Sequence, residues 1–135
     1  MIVRIYVLGP LDTHGDLEEN KRDALAVGQR IVKLGGVAIV PHLFNLDVGN
    51  LQPRSWWLKA DLGLLSICHA AMVRVGWQES EGSVMEMSHC FQFGIQVFHN
   101  SVRADWGSLE LFIREWQKRI DPHEGGAIPF GCRRI

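Results

Sequence analysis

The chain has 135 residues, 47% of them apolar, with 14 Lys and Arg against 15 Asp and Glu for a formal net charge of −1. That is one domain's length, enough to bury a core without disulfides, and the balanced charge gives no general attraction to nucleic acid or to a membrane surface. No apolar run approaches the roughly 18 residues that span a bilayer.

"IVRIYVL" is an almost unbroken apolar, β-branched run ending at Gly9-Pro10, the pattern of a strand buried on both faces. "DLEENKRDALAVGQRIVKLGG" follows with helical spacing, Asp16 as N-cap candidate and Gly35 closing it. "VAIVP" predicts a second strand, "NLDVGNLQPRSW" a polar loop and "SWWLKADLGLLSIC" a second helix running into a third strand, "AAMVRVGW". Residues 82–93 predict a third helix, "IQVFHN" a fourth strand and "SLELFIREWQKRI" a final amphipathic helix. Residues 1–120 thus read as one domain, and 121–135 as a loop or docking tail. Strands alternating with helices predict a three-layer α/β sandwich around a parallel sheet of four or five strands. In such folds ligands bind beyond the carboxyl ends of the strands. The segments to watch are therefore 9–16, 41–47 and 77–82.

Three cysteines without framework spacing read as reduced thiols of a cytoplasmic protein. The opening "MIVRIYVLGP" lacks the charged lead and cleavage site of a signal peptide. Cys68-His69 and His89-Cys90 lack metal-site spacing, so no metal is expected and the thiols read as small apolar groups.

Within the segments of interest, Gly9-Pro10 follows a buried strand, where glycine lets backbone approach a ligand; the same pair also makes a plain βα turn. Ser80-Glu81-Gly82-Ser83 opens a helix, and two hydroxyls, a glycine and free helix N–H groups form an anion cradle. Either serine can equally serve as an N-cap. Glu86 lies about a turn further on, sharing a face with Gly82 and Ser83. It is either a reactive carboxylate or a capping-box partner of Ser83, because "SVME" fits that box. Asp61, in apolar surroundings in "WWLKADLGLL", is a second carboxylate or a solvated helix residue. Two converging carboxylates are the usual apparatus for cleaving a glycosidic bond. His42, after a strand-ending Pro41, is a candidate ligand contact or a satisfied loop histidine. Trp77 is a candidate water-excluding wall.

"YVLGP", "GGVAIVPH", "ADLGLLSICHAAMVRVGW" and "SEGSVMEMSHCFQFGIQV" together resemble the nucleoside 2-deoxyribosyltransferase superfamily, which includes the 2′-deoxynucleoside 5′-phosphate N-hydrolases. The resemblance runs from about Ile2 to Phe98 and is nearest to a branch of small phage and bacterial proteins. It implies a Rossmann-like fold, a homodimer or higher oligomer, and no cofactor. It also implies that Glu86 matches the nucleophile attacking C1′ of the sugar. Asp61 matches the acid that positions the sugar or relays a proton, Tyr6 the tyrosine near the nucleophile, and Gly9 the first-loop glycine. Ser80 stands where nucleotide hydrolases carry a phosphate-holding serine and nucleoside transferases an aspartate, which leans toward a 5′-monophosphate. Pro10, Leu11 and Asp12 stand where the hydrolases place serine and arginine, and no asparagine near the C-terminus matches the one that transferases share between subunits.

The expected function is N-glycosidic cleavage or transfer on a nucleoside 5′-monophosphate. Gly9, Pro10, His42, Trp77, Ser80, Gly82 and Ser83 would line the substrate. The competing expectations are a nucleotide-binding protein without catalysis and a structural subunit.

Overall fold

The computed structural model describes residues 2–11, 16–43 and 49–120. Asp12, Asp47 and the tail 121–135 with Cys132 lie outside the described residues.

Four strands, β1 (Arg4–Leu8), β2 (Val37–Ile39), β3 (Ala70–Val73) and β4 (Gln96–His99), form one sheet in the order β2-β1-β3-β4. All pairings are parallel, with Tyr6 beside Ile39 on one side and beside Ala71 on the other. The helices α1 (Leu17–Lys33), α2 (Arg54–Ser66), α3 (Glu81–Phe93) and α4 (Arg103–Ile120) cover both faces. The protein is a Rossmann-like three-layer α/β sandwich, as the alternation of elements predicts.

Two-residue periodicity divides the core. Val3, Ile5 and Val7 of the β1 segment join Ala70 and Met72 of β3 against Val27 and Ile31 of α1 and Trp106, Leu109 and Ile113 of α4. The alternate residues Tyr6, Leu8, Ala71 and Val73 face the other way, toward Leu65 of α2 and Met87 and Cys90 of α3. Apart from Arg4 at the start of β1 and the hydroxyl of Tyr6, both central strands are apolar on both faces, which is why they read as nearly unbroken runs.

Local chemistry sets the helix ends. The Asp16 side chain accepts from the Glu18 N–H at 2.9 Å and caps α1. Ser80 Oγ does the same for α3, accepting from the Ser83 N–H at 3.3 Å.

Several boundaries differ from expectation, beginning with β2, which ends at Ile39 and not at Pro41. β3 stops at Val73, and Trp77 lies in a 3₁₀ turn, Trp77–Glu79, not in a strand. The polar loop already contains the 3₁₀ turn Gly49–Leu51 and the first residues of α2. The final helix begins at Arg103, five residues before Ser108, although Gly107 is a poor helix former. Tertiary contacts decide this. Trp106 is buried and donates to Asn100 Oδ1 at 3.1 Å, and Asp105 Oδ2 accepts from the His99 N–H at 2.7 Å.

Candidate active site

Tyr6, at the middle of β1, projects to the α2/α3 side of the sheet, and its hydroxyl donates to Glu86 Oε2. Glu86, in the second turn of α3, is 7% exposed. Burial is the main cause that lifts its pKa to about 8. The Tyr6 hydrogen bond opposes that rise by favouring the carboxylate, and the charge of Asp61 adds to it. Tyr6 is itself held neutral far above the ordinary phenol range, first by burial and then by the charges of Glu86 and Asp61. Asp61, half-buried on α2, thus acts electrostatically on both groups. The three side chains assigned to chemistry, on α2, α3 and β1, form one coupled cluster.

The capping-box alternative for Glu86 is not what forms. Ser80, not Ser83, is the N-cap, which makes Ser83 the third helical residue, and the carboxyl of Glu86 pairs with Tyr6. Ser83 is 1% exposed, and its hydroxyl has no partner among the described residues. A buried hydroxyl without a partner carries a desolvation cost of about 1–3 kcal/mol, and this one stands at a helix N-terminus whose N–H groups favour an anion. Gly82 packs beside α2, where an added Cβ would lie 3.3 Å from Leu58 Cδ2.

Gly9, Pro10 and His42 gather elsewhere. Gly9 continues the Ile5–Val7 parity and faces the α1 side, opposite to Tyr6. What it faces is Arg74, the residue after β3 and the one central feature that composition and spacing passed over. Arg74 is 1% exposed. Its guanidinium donates to the Pro10 carbonyl, to the Asn20 carbonyl at 3.3 Å, to Asp23 Oδ2 at 3.1 Å and to His42 Nδ1 at 3.2 Å. A Cβ on Gly9 would stand 2.8 Å from Arg74 Cβ and 2.9 Å from its Nε, so the glycine is required by the arginine and not by a turn. The available signal was parity: Ala70, Met72 and Arg74 share one face of β3 and its extension.

Trp77 packs against the core on the Tyr6 side and also lines a cavity of about 200 Å³ at the carboxyl ends of β3 and β4, with Arg74, Gln78 and His99. A larger groove of about 540 Å³ runs between α1 and β2, walled by Leu25, Val32, Ala38 and Val40. It holds none of the candidate residues. Cys68 and Cys90 are buried thiols, pushed up to about 12 and about 11 by burial, the profile of inert packing groups. Among the described residues no three His, Cys, Asp or Glu side chains gather as a metal site, and no helix is long and apolar enough to cross a membrane.

A parallel sheet with a buried acid on the helix after β3 defines a Rossmann-like α/β protein whose polar groups collect toward the carboxyl side of the strands. A family described as a domain of unknown function, DUF7768, matches residues 3–100, and the chain belongs to that family. No curated protein matches the chain.

Proposed function

We propose that this protein cleaves the N-glycosidic bond of a nucleoside 5′-monophosphate, with Glu86 as nucleophile. The observation that carries the reading is the cluster of a buried Glu86, the Tyr6 hydroxyl bonded to it and the charge of Asp61 acting on both. Glu86 lies on the helix whose first turn carries Ser83, a buried hydroxyl without a partner among the described residues. A carboxyl so placed in low dielectric keeps high nucleophilicity once it is ionised.

Glu86 is mostly protonated at neutral pH in the free protein, so its proton passes to water before attack. Its Oε then bonds to C1′ as the C1′–N bond breaks, and the electron pair departs with the base, which takes up a proton. Water next attacks C1′ of the glycosyl ester, giving sugar phosphate and free carboxylate. Asp61 orients the sugar and carries protons. Ser80, Ser83, Gly82 and the α3 amides receive the phosphate, and Trp77 limits water. The substrate is a small molecule held without a cofactor. A homo-oligomer belongs to the same reading. The exposed Ile67, Val84, Met85 and Phe91 of the α2 and α3 side support it, and light scattering tests it.

The experiment is incubation with a panel of nucleoside and deoxynucleoside monophosphates, with chromatography for free base. Glu86→Gln is expected to lose base release by several orders of magnitude while keeping its fold, because the nucleophile is removed. Full rate in that variant overturns the assignment. A second reading, nucleotide binding without cleavage, is favoured by one observation: Glu86 is mostly neutral at pH 7. It predicts ligand-dependent thermal stabilisation with no base released.

A further inference from the structure

The guanidinium of Arg74 is buried on the α1 side of the sheet, on the face opposite to Tyr6 and Glu86. Burying a charge this deeply costs several kcal/mol unless it is richly hydrogen-bonded. Here it is bonded to the loop after β1 through Pro10, to α1 through Asn20 and Asp23, and to the segment after β2 through His42. Asp23 is half-exposed, and the other acceptors are neutral. A mere structural staple is better made of apolar side chains, so the question is what the cation does to its neighbours.

Its effect on His42 is fixed by elementary chemistry. An arginine donates hydrogen bonds and cannot accept them. The contact of Arg74 Nη2 with His42 Nδ1 at 3.2 Å therefore requires a bare lone pair on Nδ1. In the neutral ring the proton then sits on Nε2. Protonating Nδ1 would break the bond and set two cations together. Burial and Arg74 together hold His42 down to about 4, so the ring stays neutral across the ordinary range. Nε2 has no protein partner among the described residues and is left as a donor.

We infer that Arg74 is a positioning residue: it locks His42 in the Nε2–H tautomer and ties it to the first loop, so that His42 offers one directed donor to an oxygen or ring-nitrogen acceptor of the bound ligand. The ligand half of this statement rests on the nucleotide reading above; the tautomer half does not. Burial first and Arg74 second set the state of His42, and Asp23 bonds to the same guanidinium. Gly9 belongs to the same device, since only a residue without Cβ lets the arginine pass.

Long-range nitrogen–proton correlation spectra of the wild-type protein at pH 7 test it. The expected result is an unprotonated Nδ1 and a protonated Nε2 on His42, unchanged down to about pH 5. A proton on Nδ1, or a charged ring at pH 7, overturns the inference without any variant. In Arg74→Met the His42 titration is expected to move up toward the ordinary value near 6.5, with the tautomers mixed. In Arg74→Lys, a donor is restored and the preference returns in part. An Arg74→Met protein with unchanged His42 tautomer and titration overturns the inference, and Arg74→Lys decides if the methionine variant does not fold. On a nucleotide that the wild type cleaves, Arg74→Lys is expected to raise KM roughly tenfold with kcat nearly kept, the loss of one ligand hydrogen bond. If the tautomer is as stated while Glu86→Gln keeps full rate, the nucleotide reading fails and the placement by Arg74 stands.

Discussion

Glu86 is held in the state opposite to that of an ordinary surface carboxylate. Its folded pKa of about 8 lies above the unfolded value of about 4.5. The sign of the linkage follows. Below the unfolded value both states carry the proton and Glu86 costs nothing. As pH rises through 4.5 toward 8 the unfolded chain gives up its proton and the folded one does not, so stability falls. Glu86→Gln, which cannot ionise, is therefore expected to melt higher than wild type, with the gap widening from about pH 5 to pH 8. Thermal denaturation across that range checks it. A gap that narrows with rising pH would mean that the carboxyl is ionised in the fold. Catalysis should follow the same group the other way: kcat/KM for base release is expected to rise with pH up to about 8, because only the carboxylate attacks.

At the scale of elements, a helix cap at Ser80 and a close approach of the Gly9 backbone to Arg74 fix the loops on the two faces of the sheet. Ser80 caps α3, and Ser80→Ala is expected to cost about 1 kcal/mol, read as a lower denaturation midpoint with unchanged slope. Gly9→Ala places a methyl 2.8 Å from Arg74 Cβ. Overpacking of this kind costs about 1–3 kcal/mol, and the strain falls on the loop after β1. The same substitution disturbs His42, so its ring resonances should shift although the two residues are 33 positions apart. A variant with wild-type stability and an unmoved His42 spectrum would show that Gly9 is not what admits the arginine.

For the whole molecule, the family match ends at residue 100, yet the core does not. Trp106, Leu109 and Ile113 of α4 close the face on which Val3, Ile5 and Val7 of the β1 segment and Met72 of β3 lie. The Arg30 guanidinium stacks over Trp106 at 4.1 Å and joins α1 to α4. Truncation after residue 102 is expected to abolish cooperative unfolding, measured by calorimetry, because it uncovers the part of that apolar face that Trp106, Leu109 and Ile113 close beside α1. A truncated chain that still melts in one sharp transition would show that α1, α2 and α3 hold the sheet without α4.

The sequence by itself determined the class of fold. Unbroken apolar runs such as "IVRIYVL" exist because a central parallel strand is buried on both sides, and the helical stretches between them leave few other topologies. It also determined that Glu86 stands one turn below a small-residue helix start, since that spacing is local. Only the tertiary structure decided which way Glu86 points. Capping box or tyrosine partner is a choice between a neighbour 3 residues away and one 80 residues away, and the second is formed by sheet and helix together. Arg74 escaped for the same reason. Its four acceptors come from segments between 32 and 64 positions distant, and a charged residue just past a strand reads locally as a surface mark. Propensity and spacing act over one or two turns of chain, whereas burial, and with it the state of every ionisable group, is fixed by what packs across the sheet.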